Sequence, residues 1–126
     1  MTLNELRDIA TEAARSKGFH DGRADRGRDD TLIRLGLIHT EVSEAMQLVK
    51  RHGPNGREGE IGEELADVLI RVGDLAGLLG IDLDRHVRAK LAKNSQRPYK
   101  YGTPDDERLQ KDQGVLAAGT PPAAGG

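Results

Sequence analysis

The chain has 126 residues and carries 19 Lys and Arg against 21 Asp and Glu, a net charge of −2. That length suits one domain rather than two, and the near balance of charge excludes a general nucleic-acid binder, which needs a strong basic surplus. The absence of cysteine excludes disulfides and thiolate metal sites, and no apolar run approaches the roughly 18 residues that a membrane span requires.

Charges within Met1–Asp8 stand where a signal peptide would be apolar, so the cytoplasm is the expected compartment. Phe19, Tyr99 and Tyr101 are the only aromatic residues. Aliphatic side chains and Ala must therefore fill the interior. A folded part of about 100 residues buries roughly two-thirds of its chain surface, which gives a thin core. Small helical domains of this kind gain core by oligomerising.

The first helix is predicted from Thr2. Thr2-Leu3-Asn4-Glu5 fits a capping box, in which Thr accepts from the Glu amide and Glu reaches back. Leu3, Leu6, Ile9 or Ala10, and Ala13 form one apolar face, and Lys17-Gly18 reads as a basic last turn with a left-handed stop. Residues 19–30 are polar and punctuated by Gly, a loop. Asp30 is the expected cap of a second helix that runs to about Arg51. Its apolar positions, Leu32, Leu35, Ile38, Val42, Ala45, Met46 and Val49, follow a helical period.

Gly53-Pro54-Asn55-Gly56 turns the chain. A third helix is expected from about Glu60 to Leu79, with Gly80 as its stop. Ile61, Leu65, Val68, Leu69, Val72, Leu75, Ala76 and Leu79 form its core stripe. Asp82 is placed to cap a fourth helix that ends near Asn94, before Pro98. These four helices with short connections predict an all-α, bundle-like domain over residues 1–104. Residues 105–126 lose the apolar period and end in Gly, Pro and Ala, which reads as a poorly ordered tail.

Two helices each carry an acidic pair at i, i+3. Glu41 and Glu44 lie on the second helix, Glu64 and Asp67 on the third. The spacing puts both carboxylates of a pair on one face, one turn apart. If the two helices pack side by side, all four acids converge. Like charges about 5 Å apart at an effective dielectric near 20 repel by roughly 3 kcal/mol, so such a cluster calls for a cation or raised pKa values. All-oxygen ligands favour a hard ion, Mg²⁺ or Mn²⁺. The plainer alternative is a solvated acidic face with local ion pairs, in which Glu60, Glu64, Asp67, Arg71 and Asp74 take part.

Near the other end stand Arg85, Arg88, Lys90, Lys93, Arg97 and Lys100. Lys90 and Asn94 share one helix face at i, i+4, and Arg97 follows a turn later. Such groups bind phosphate oxygens, Lys as a point charge and Arg as a fork. The same charges also compensate a helix C-terminus. No Gly-x-x-x-x-Gly-Lys loop is present, so any phosphate grip is not a P-loop.

Taken in order, EVSE at 41–44, EELAD at 63–67, the segment ELADVLIRVGDLAGLLGIDLD and then KLAKNSQRPYKYG resemble the MazG-type nucleotide pyrophosphohydrolases, the all-α NTP pyrophosphatase superfamily, in its small single-domain branch. The likeness covers about residues 3–102. It implies hydrolysis of a nucleoside triphosphate, typically a deoxy form, to monophosphate and pyrophosphate. It also implies Mg²⁺ and a homodimer or homotetramer that completes the bundle. By this resemblance Glu41, Glu44, Glu64 and Asp67 are the expected metal ligands. Lys90, Asn94, Arg97 and Tyr99 are expected to face the phosphates or the neighbouring subunit. Some relatives stack the base on Trp or Tyr near the first loop. This chain has no Trp, and Phe19 and His20 are the local candidates. Tyr101-Gly102 stands where such relatives often carry His-Gly.

The chemistry fits the residues independently. Phosphoanhydride hydrolysis needs neutralised phosphate charge, a placed water and an in-line path. One carboxylate can take the water's proton, and Glu63 and Glu41 are both candidates. The competing reading is a non-catalytic helical module that binds a nucleotide or a protein partner.

Overall fold

The Thr2 capping box forms as its spacing requires: Thr2 Oγ1 accepts from Glu5 N at 3.0 Å, and Thr2 N donates to Glu5 Oε1 at 2.6 Å. It opens the first of four α-helices in the computed structural model, which describes residues 1–22 and 27–98. The elements are α1 (Leu3–Ser16), α2 (Arg28–His52), α3 (Glu58–Leu78) and α4 (Leu83–Ser95). No strand occurs among the described residues, and none of their helices is long and apolar enough to cross a membrane. The fold is all-α. Residues 99–104 and the tail expected over 105–126 lie outside the described residues.

Two compact units divide the chain, Met1–Arg85 and His86–Gly126. In the first, α3 packs against both α1 and α2. The α1–α3 contact is a strip of small residues. A Cβ on Gly73 would lie 3.3 Å from Ala10 Cβ and 3.4 Å from the Arg7 backbone, and one on Gly77 would overlap Thr11 Oγ1. Ala10, Leu75 and Ala76 are the buried apolar residues there.

The starts of α1 and α4 cap each other. Leu3 N donates to Asp84 Oδ1 at 3.0 Å, while Leu83 N donates to Asn4 Oδ1 at 2.9 Å. Asp82 Oδ1 accepts from Arg85 N and from Asn4 Nδ2, both at 3.0 Å. Asp82 is thus the cap that its position predicts. Gly80, with φ at 67°, supplies the left-handed stop after α3. In the second unit α4 ends at Ser95, and its exit tightens as Gln96 N donates to Lys93 O and Arg97 N to Asn94 O.

Two expectations need correction. Gly27, not Asp30, is the N-cap of α2. Asp29 and Asp30 instead place negative charge in the first turn, where the helix dipole favours it. The apolar stripe of α2 has the expected period but not the expected burial. Leu32, Leu35, Val42, Met46 and Val49 are exposed in the single chain, and the buried residues of this helix are Arg34 and Glu41. On α3, Leu65 and Leu69 are likewise exposed, as is Leu79 at its C-cap. Helical period shows that a face is apolar; it does not show which neighbour covers it.

Candidate metal centre and adjoining cavity

The face that α2 turns toward α3 is charged. Arg34 and Glu41 lie seven residues apart, two helical turns, so they share that face. On α3 the facing strip is Glu64, Asp67, Arg71 and Asp74, at steps of three and four. The two strips pair. Arg71 Nε donates to Glu41 Oε1 at 3.0 Å. Two turns away, Arg34 donates through Nη1 to Asp74 Oδ2 at 3.3 Å and through Nε to Asp30 Oδ2 at 3.1 Å.

At one end acid outnumbers base. Carboxylate oxygens of Glu41, Glu64 and Asp67 all lie within 4.8 Å of one another. Glu41 is only 7% exposed, Glu64 is half-buried and Asp67 is open to solvent. The Glu44 carboxyl adjoins Glu64. Hydrogen bonding with Glu44 raises the Glu64 pKa above its ordinary value, and burial and the charges of Glu44, Glu41 and Asp67 act in the same direction. Glu64 Oε2 is enclosed and has no hydrogen-bond partner.

These features fit a hard divalent cation. An octahedral ion with metal–oxygen distances near 2.1 Å separates opposite ligand oxygens by about 4.2 Å, compatible with this spacing. A cation would give the enclosed, unpartnered Glu64 oxygen the partner that it lacks. Arg71 neutralises part of the charge, and the remaining donor set is all oxygen.

Beside the cluster lies a cavity of about 450 Å³, bounded by α1, α2, α3 and Phe19. Glu41 and Asp67 line one part, Arg34 and Asp74 another. Phe19, 69% exposed, stands on its wall. His20 does not line the cavity itself but holds Asp74, which does: its Nε2 lies 2.8 Å from Asp74 Oδ1, with the ring almost fully buried. Glu63 is exposed on α3, outside the three-residue carboxylate group. In the second unit, Lys90, Asn94 and Arg97 are exposed. Tyr99, the remaining candidate, lies outside the described residues, as do Tyr101 and Gly102.

The sequence pattern alone does not single out Arg34, and it places Arg71 and Asp74 only on a solvated acidic face. The signal was there in part. Asp30 and Arg34 are an i, i+4 pair, and Arg34 to Glu41 is a two-turn step on one face. Only the packing of α3 shows that this face is buried.

Comparison with known families agrees with the geometry. Residues 31–101, more than half of the chain, match the family model described as the MazG nucleotide pyrophosphohydrolase domain. No curated protein and no solved structure matches significantly. The matched segment contains both acid pairs and Arg34, Arg71 and Asp74. The chain belongs to the MazG nucleotide pyrophosphohydrolase domain family.

Proposed function

We propose that the chain hydrolyses a nucleoside triphosphate, a deoxynucleotide above all, to the monophosphate and pyrophosphate with the help of Mg²⁺ or Mn²⁺. The observation that carries this reading is the meeting of Glu41 with Glu64 and Asp67 across α2 and α3, with Glu44 beside Glu64 and an enclosed Glu64 oxygen that lacks a partner. Glu41, Glu44, Glu64 and Asp67 are the proposed ligands. A divalent cation bound there would polarise phosphoryl oxygens and lower the pKa of bound water.

The chain's own residues do the rest. Arg71 holds the Glu41 carboxylate in place through the 3.0 Å bond to Oε1. Glu41 and Glu63 are the two proposed bases for the attacking water. Lys90, Asn94, Arg97 and Tyr99 are proposed to grip the phosphates, in the same subunit or a neighbouring one.

The proposed bond is the α–β linkage, since charge must be neutralised where it develops while the remaining phosphates depart as one group. The test is a deoxynucleoside triphosphate with Mg²⁺, with pyrophosphate and orthophosphate assayed separately and no added pyrophosphatase. Monophosphate and pyrophosphate are expected as first products. Orthophosphate with a diphosphate would overturn the choice of bond. No turnover of any triphosphate, with nucleotide still bound, would favour the non-catalytic module.

A further inference from the structure

Arg34 is a charged side chain shut inside the subunit, 9% exposed. Its guanidinium is gripped from behind. Nε is bonded to Asp30 Oδ2 and Nη1 to Asp74 Oδ2, and Asp74 is itself fixed by His20 Nε2 at 2.8 Å. The third nitrogen, Nη2, is enclosed and has no acceptor. Arginine cannot deprotonate to relieve this, so an unused buried donor persists in a side chain that lines the cavity.

The setting tells what kind of acceptor fits. Two carboxylates, Asp30 and Asp74, grip the one guanidinium, so Arg34 offers a hydrogen bond rather than a bare cation. A phosphate would meet Asp30 and Asp74 beside it and be repelled. A neutral oxygen would not. The walls nearby are apolar: Ala10, Ala13 and Ala14 of α1, Leu37 and Ile70, with Phe19 among them. Small flat side chains leave room for a planar ring. From Arg34 to Glu41, and from Asp74 to Asp67, is seven residues of helix, about 10 Å. That is the span from the α-phosphate of a nucleotide to the far edge of its base.

We infer that Arg34 is a specificity-determining residue whose Nη2 donates to a keto oxygen on the far edge of the nucleobase, O6 of guanine or O4 of uracil and thymine. This rests on the triphosphate reading of the adjoining acid cluster. Adenine and cytosine carry an amino group at that position, where donor would face donor; their acceptor on this edge is the adjacent ring nitrogen, N1 of adenine or N3 of cytosine, displaced from the keto position. A site built to hydrogen-bond one substrate group rejects the analogue that lacks it, because its own buried donor is then left unpaired.

The test compares substrates that exchange keto for amino at that position, with the accompanying loss of the proton on the adjacent ring nitrogen. The full chain is assayed with Mg²⁺ for kcat/KM on dITP against dATP, 6-keto against 6-amino, and on dUTP against dCTP, 4-keto against 4-amino. The keto member is expected to be favoured by at least about tenfold in whichever ring size is accepted. Equal rates, or preference for the amino member, overturn the inference and leave the proposed function standing. Absence of turnover on every triphosphate sinks both. Arg34→Lys keeps the charge that Asp30 and Asp74 require and removes the spare nitrogen. It is expected to bring the keto/amino ratio toward one. A variant that loses rate equally on both members, with the ratio intact, assigns Arg34 to folding alone and overturns the inference. Where the variant does not fold, equal wild-type rates on the two members of a pair still overturn the inference.

Discussion

Glu64 stands out at the scale of single residues. It is half-buried, its carboxyl is held above the ordinary pKa beside Glu44, and one of its oxygens has no partner. Removing its charge should ease the apo protein, because repulsion with Glu41, Glu44 and Asp67 then falls. Glu64→Gln is therefore predicted to match or exceed the wild-type melting temperature in chelator. It should also lose most of the rise that Mg²⁺ or Mn²⁺ gives the wild type, since a ligand that binds only the folded state stabilises it by mass action. Glu44→Gln and Asp67→Asn are expected to behave alike and to lose turnover. Thermal melts with and without metal check this. A Glu64→Gln protein that keeps the full metal-induced shift would rule the residue out as a ligand. Both acid pairs were readable from i, i+3 spacing alone. Arg34 was not, because a lone Arg among Leu32, Ile33 and Leu35 shows no partner beyond its own helix until a second helix is laid over it.

Between elements, two junctions carry predictions. The first is the mutual cap between α1 and α4. The Asn4 side chain, then the Arg85 amide, hold the Asp82 carboxyl below its ordinary pKa. The folded pKa thus lies below the unfolded one, near 3.9. The stabilisation is complete above the unfolded value and is lost as pH falls through the folded value. Asp82→Asn keeps a capping oxygen but does not titrate, so its stability should fall less steeply with acid below about pH 4 than that of the wild type. Urea melts across that range would show it, and parallel acid limbs would refute it. The second junction is Gly77 against Thr11. Gly77→Ala drives a methyl into the Thr11 side chain, whose Cβ would be 2.9 Å away. A loss of about 1–3 kcal/mol is expected from overpacking, partly recovered in Gly77→Ala/Thr11→Ala. An unchanged urea midpoint for Gly77→Ala would mean that the helices separate at little cost. Local signals made Thr2 and Asp82 legible as caps. The bonds from Asn4 to Leu83 and from Asp84 to Leu3 join positions some 80 residues apart, so no local pattern announces them.

For the whole molecule the question is where its apolar surface goes. The first unit buries Ala10, Leu75 and Ala76 but exposes Leu32, Leu35, Val42, Met46 and Val49 along α2. Leu35, Val42 and Val49 recur every seven residues, with Ile38 and Ala45 between them, the spacing of a helix seam. Val42, Ala45, Met46 and Val49 line a shallow depression on this helix. The strip of α2 that borders this seam is taken by Arg34 and Glu41, so the helix cannot roll its stripe further inward without unpairing Asp74 and Arg71. An apolar helix face of this length marks an interaction surface. The occupant we predict is a second copy of the chain, since a closed isologous pair would cover the stripe of both subunits at once. The chain should run as a dimer or tetramer in light scattering at micromolar concentration. Met46→Glu, a charge placed 64% exposed in the single chain and buried in the pair, should shift it toward monomer and lower its melting temperature. The melting temperature of the wild type should also rise with protein concentration, whereas that of the variant should not. A wild-type monomer at micromolar concentration would refute the pairing and leave the exposed stripe to a different protein.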